Sequence, residues 1–146
     1  MQIHSLDRPD IASWVDLRAA LWPEQPRDEL ESEGRAAIEA ESPLVVFVAD
    51  DGERLLGFIE ISLRSYAEGC ASSPVPYVEG WYVRDEARRR GVGGALMCAV
   101  EGWCRERGYE ELGSDALADN RLSRVAHEAL GFGEVETLVV FRKRLA

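Results

Sequence analysis

Residues 76–99, PYVEGWYVRDEARRRGVGGALMCA, constrain this chain more than any other stretch. Val78 to Val83 is apolar and aromatic enough to predict a buried strand. Arg84 to Arg90 reads as a charged turn, after which Gly91, Gly93 and Gly94 open a helical pattern. A strand, a glycine turn and a helix N-terminus together form an anion site: backbone N–H groups face outward there and the helix dipole favours negative charge. Glycine lets the backbone approach such a ligand closely. No Lys-Ser/Thr follows the glycines, which excludes a P-loop, and the third glycine of a dinucleotide fingerprint is missing at its required spacing. What remains is Arg88-x-x-Gly91-x-Gly93 entering a helix straight after a strand.

The rest of the chain supplies the frame for this unit. Its 146 residues predict one domain, spanning 1–146, with a real core. No apolar run approaches the roughly 18–20 residues of a membrane span, and Met1 to Asp10 lacks an apolar signal segment. Cys70, Cys98 and Cys104 are odd in number and without zinc-like spacing, and the two that fall inside a helix, Cys98 and Cys104, read as buried free thiols. A cytoplasmic protein without a metal is expected. The net charge of −10 disfavours DNA or RNA as a partner. It suits a cationic small molecule, and equally an acidic, soluble surface.

Gln2 to Leu6 predicts a first strand, and Asp7 caps a helix from about Arg8 to Leu21. Trp22-Pro23 ends that helix, with Trp22 either plugging the core or walling a cleft. Asp28 to Ala40 reads as a second helix. Glu24 to Glu41 carries seven acidic residues against Arg27 and Arg35, which fits either a solvated helix face or a rim for a polycation. Leu44–Ala49 and Leu55–Leu63 predict strands joined through Asp51-Gly52, a tight-turn pair. Ser65 to Pro76 is a long connection of the kind that often carries function. After the central unit, Gly108 ends the helix, Leu112–Asp115 predicts a short strand, and Leu122–Leu130 a further helix closed by Gly131. Glu134–Arg142 predicts one or two closing strands. The order β-α-α-β-β-β-α-β-α-β-β predicts an α+β fold whose strands near residues 80 and 113 run parallel.

This order, the Arg88-to-Gly93 loop and the run from Asn120 through His127 to Gly131-Phe132 resemble the GNAT N-acetyltransferase superfamily from end to end. Within it the chain looks like the aminoglycoside 6′-N-acetyltransferases, through Leu21-Trp22-Pro23, Tyr66, Gly69-Cys70, Ser72-Ser73-Pro74, Val78-Glu79-Gly80, Ser114-Asp115 and Phe141-Arg142-Lys143-Arg144. The resemblance implies a central, mostly antiparallel sheet with a splayed parallel strand pair and about four helices. It implies acetyl-CoA as co-substrate, with its pantetheine arm against the backbone of Trp81, Tyr82 and Val83. The diphosphate would lie on Arg88, Arg89, Arg90, Gly91, Val92, Gly93 and Gly94, and Asn120 near the thiol end. It also implies an aminoglycoside as acceptor and, in many relatives, a homodimer, sometimes formed through the C-terminal strands.

Acetyl transfer needs a neutral amine, and a carboxylate can both bind an ammonium and take its proton. Asp115 and then Glu79, both at strand ends, are the candidate bases, with Glu136 as a further substrate contact. Trp22 and Tyr66 would line the acceptor site, where aromatic faces cover sugar C–H groups and attract ammonium groups. Many relatives have a Tyr where this chain has His127, which either protonates the departing thiolate or is simply a satisfied helix residue. Two alternatives stay open: acetylation of a polyamine or peptide amine, and an acyl-CoA-binding domain without catalysis.

Overall fold

Apolar runs at period two build the sheet, and amphipathic helices cover it. The computed structural model describes residues 1–146 and divides them into two compact units, 1–114 and 115–146. In the first unit, strands β1 (Gln2–Ser5), β2 (Val45–Asp50), β3 (Leu55–Arg64) and β4 (Val75–Val83) form an antiparallel sheet in the order β1-β2-β3-β4. Helices α1 (Ile11–Leu21), α2 (Arg27–Glu39) and α3 (Val92–Glu106) pack around it. Alternation along β3 and β4 assigns the faces. Phe58 pairs with Tyr82 and packs in the cluster of Trp14, Val15 and Leu17 from α1. Ile59 pairs with Trp81, whose indole lies against Gly93 of α3.

Several expectations are refined. Arg8–Asp10 is a separate 3₁₀ turn ahead of α1, held by the Asp7 amide donating to the Asp10 carboxylate at 3.3 Å. The β2–β3 connection is a four-residue loop, because Asp51 Oδ1 accepts the amides of Glu53 and Arg54 at 2.8 and 2.9 Å. The central strand starts three residues early, at Val75, since pairing with Leu63 and Arg64 draws Val75 and Pro76 into the ladder. Gly108 (φ 78°) ends the helix as expected.

Two predicted strands do not form as such. Leu112–Asp115 reduces to one parallel bridge, in which the Val78 amide donates to Gly113 O and the Gly113 amide to Pro76 O, both at 2.9 Å. The parallel pair is thus present at a single position beside β4. Glu134–Arg142 carries no strand at all. A strand needs a neighbour for its backbone groups, and this segment finds no ladder within one chain. The second unit is otherwise α4 (Arg121–Ala129), capped by Asn120 and closed by Gly131 at φ 92°. Cys98 proves exposed, while Cys104 is buried.

Candidate active site

The glycine turn ahead of α3 is built as the residue pattern requires. Gly91 takes the left-handed conformation at the N-cap of α3 (φ 77°), and no side chain caps the first turn. Arg89 is also left-handed (φ 63°), a conformation that costs a residue with a Cβ about 1–2 kcal/mol. Such strain gathers at functional turns. A Cβ on Gly93 would sit 3.3 Å from the Trp81 indole, so this glycine keeps the helix start close to β4. Arg89 and Arg90 are exposed, whereas Arg88 is bound to Asp85 at 3.0 Å and to Val83 O at 3.0 Å. An uncapped helix start with cationic side chains around it fits a diphosphate. β4 is the edge of the four-stranded sheet, so the strand that carries Trp81, Tyr82 and Val83 can take an extended ligand alongside it. The described residues therefore fit a coenzyme A-type group.

A β-bulge re-aims one side chain on the opposite face of the sheet. Glu60 pairs with Gly80 and Ile61 with Val78, which leaves Glu79 as the extra residue. Bulges re-aim side chains, and here Glu79 joins the row of Ser62 and Arg64 on β3. Its carboxylate accepts from Ser62 Oγ at 3.1 Å, Arg64 Nε at 2.8 Å and Arg64 Nη2 at 3.0 Å. The Arg64 guanidinium also lies 3.7 Å over the Tyr77 ring.

Behind this row sits a sealed ion pair. Arg18 of α1 approaches Glu60 at 3.6 Å, with both side chains buried. The guanidinium is sandwiched between Trp14 and Trp22, 5.0 Å from each ring. Trp14 Nε1 donates to Glu60 at 3.2 Å. Burial pushes the Glu60 carboxyl up to about 7, against the opposing pull of Arg18 and Trp14. Trp22, half-buried just past α1, meets Phe58 edge-on and leans on Gly80, where a Cβ would fall 2.9 Å from its ring. Gly80→Ala is therefore expected to push Trp22 aside, costing about 1–3 kcal/mol as overpacking does. A urea melt with Trp fluorescence checks this; an unchanged midpoint and spectrum would show that Trp22 is not wedged there.

Tyr66, 69% exposed, stands on the loop 65–74. Glu111 anchors that loop, accepting from the Ser72 hydroxyl at 2.5 Å, the Ser72 amide at 2.6 Å and the Ala71 amide at 2.9 Å. These bonds, led by the Ser72 hydroxyl, hold the Glu111 carboxyl below the usual range. The structure thus brings Trp22 together with Glu79 and Gly80 of β4 in the first unit. Asp115, Asn120, His127 and Glu136 belong to the second. There Asn120 Oδ1 accepts the Ser123 amide at 3.1 Å, serving as the cap of α4. His127 Nδ1 lies 2.7 Å from Ser123 O and its ring meets Phe132 edge-on, contacts that orient the imidazole on α4. Arg27 and Arg35 both pair with Glu31, and Arg27 also with Asp16, as a solvated helix face would. Arg18, Glu60, Arg64 and Glu111 have no motif of their own. The signals present are an Arg amid Trp14 and Trp22 at four-residue spacing, and a Glu inside the apolar run LLGFIEISL.

Residues 11–132 match the model of the Acetyltransferase (GNAT) family. The chain belongs to the GNAT acetyltransferase family. The fold of this GNAT chain is shared by a structure of AAC(6′)-Iy in complex with the bisubstrate analogue CoA-S-monomethyl-acetylneamine, at TM-score 0.91 and 36% identity over 99% of this chain and 98% of that one. Aminoglycoside N(6′)-acetyltransferase type 1 of Klebsiella aerogenes is 44% identical over 98% of this chain and 96% of its own. The enzyme of the same name from Stenotrophomonas maltophilia is 42% identical over 93% and 88%.

Proposed function

We propose that this GNAT chain is an acetyl-CoA-dependent aminoglycoside 6′-N-acetyltransferase that confers resistance to these antibiotics. The observation that carries the reading is similarity along almost the whole chain to enzymes of that name. The uncapped glycine turn beside an edge strand supports it from the geometry. Acetyl-CoA supplies an activated thioester; the chain supplies the rest. Arg88 through Gly94 bind the diphosphate, and the backbone of Trp81, Tyr82 and Val83 holds the pantetheine arm and polarises the carbonyl. Asp115 takes the proton of the acceptor ammonium, directly or through a water, with Glu79 beside the cation as second carboxylate. The amine nitrogen then bonds to the acetyl carbon, the carbon–sulfur bond breaks with the sulfur departing as thiolate, and the nitrogen gives up its remaining excess proton to that thiolate or to solvent. Trp22, Tyr66 and Glu136 contact the acceptor.

In this reading one acetyltransferase domain spans both units and works in the cytoplasm, where acetyl-CoA is available; no helix is long and apolar enough to cross a membrane. A homodimer is part of the proposal. Val139, Val140 and Phe141 are 75%, 82% and 89% exposed in the single chain, and a second copy would give this strand-prone segment its neighbour.

Thiol release from acetyl-CoA tests the substrate class, with kanamycin or tobramycin beside spermidine and a peptide. Turnover confined to the aminoglycosides is expected. Turnover with spermidine or peptide alone would replace the substrate, and acetyl-CoA binding without any turnover would leave a binding domain.

A further inference from the structure

We propose that Arg64 is a specificity-determining residue, a resident counter-ion that a cationic substrate must displace from Glu79. The inference rests on the reading of Glu79 as a carboxylate that faces the acceptor. Two Arg–Glu pairs lie along this face of β3 and they differ in one respect. The side chains of Arg18 and Glu60 are 8% and 2% exposed, beyond the reach of a ligand. Those of Arg64 and Glu79 are 38% and 28% exposed. The open pair has the fork geometry of a strong bidentate contact, yet it is solvated enough to be inexpensive to separate.

While the pair is closed, the Glu79 charge is matched by a guanidinium, and both oxygens are engaged. An incoming ammonium gains little from it. The competition between the two cations therefore depends on salt and on substrate charge. Tyr77 gives Arg64 a place to remain after Glu79 is lost, because the cation already stacks on that ring at 3.7 Å. The displacement therefore needs only a shift of the guanidinium along the ring. Ser62 Oγ stays on the carboxylate and keeps its orientation. Substrates with several ammonium groups compete best for the carboxylate, because a higher charge strengthens their attraction to Glu79. In this way Arg64 biases binding toward substrates of higher charge.

The test uses the full chain with Arg64→Gln, Arg64→Lys, Glu79→Gln and the double variant Arg64→Gln/Glu79→Gln. KM for kanamycin and for acetyl-CoA is measured at low and high ionic strength, with a thermal melt for each variant. Arg64→Gln is expected to lower KM for kanamycin roughly 2- to 5-fold, the range of a solvent-exposed ion pair, and to leave KM for acetyl-CoA unchanged. The gain is expected to vanish in the Glu79→Gln background and to shrink at high salt. Arg64→Lys, which keeps the charge without the fork, should fall between. A KM for kanamycin that is unchanged or raised in both Arg64 variants overturns the proposal. So does a gain of equal size in the Glu79→Gln background, which would make Arg64 a bulk repulsive charge. If Glu79→Gln alone leaves kcat and KM as in the wild type, the reading of Glu79 fails and the proposal falls with it. Absence of kanamycin turnover in the wild type would instead discard the substrate class.

Discussion

Asp115→Ala is expected to lower kcat/KM for an aminoglycoside by about 10²- to 10⁴-fold, the contribution of a positioned proton acceptor. The acceptor amine is protonated near neutrality, and an ammonium has no lone pair with which to attack a thioester. A side chain that accepts the proton therefore acts on every turnover. Asp115 is exposed and follows Gly113, the residue bridged to β4, by two positions. Glu79 is the weaker candidate for this task because Arg64 and Ser62 already fill its oxygens. Removing Asp115 should leave KM for acetyl-CoA untouched. The deficit should also narrow as pH rises toward the amine's own pKa, where solvent takes over the deprotonation. Steady-state rates across pH check both points. A pH-independent rise in KM with kcat intact would make Asp115 a binding residue only.

Arg18→Ala should lower stability by about 3–5 kcal/mol, because breaking a buried pair strands the remaining charge. Glu60 is 2% exposed and would keep only the Trp14 N–H. Two guanidinium nitrogens of Arg18, Nε and Nη1, have no hydrogen-bond partner, so its stabilisation comes from Glu60 and the flanking indoles. The pH dependence has a definite sign. The Glu60 carboxyl rises from 4.5 to about 7 on folding. Between those values the native state holds more protons than the unfolded one, so this group makes stability fall as pH rises through the interval. Without Arg18 the carboxyl rises further, and the cost of Arg18→Ala is greater at about pH 8 than at about pH 5. Urea melts at both pH values measure this. An equal loss at both would show that Glu60 is not the group that titrates.

Local chemistry makes part of the molecule legible in its residues alone. Gly91 and Gly93 announce a backbone that must bend left-handed and approach Trp81, and both requirements are written in single residues. Asn120 and Gly131 mark the ends of α4 in the same way. The polar connections of the site stay hidden because their partners are far apart in the chain. Glu60 meets Trp14 across 46 residues, Glu111 meets Ser72 across 39, and Arg64 meets Glu79 across 15. No periodicity reports such a pair. The segment 134–142 shows the converse limit: its residues favour a strand, but a strand exists only where another backbone accepts its hydrogen bonds. Helix starts and ends, the glycine turn and the family pattern thus follow from the sequence itself, since they depend on neighbours in the chain. Which carboxylate is sealed, which is clamped by an arginine and which stays exposed was decided by tertiary structure, because burial and charge pairing depend on neighbours in space.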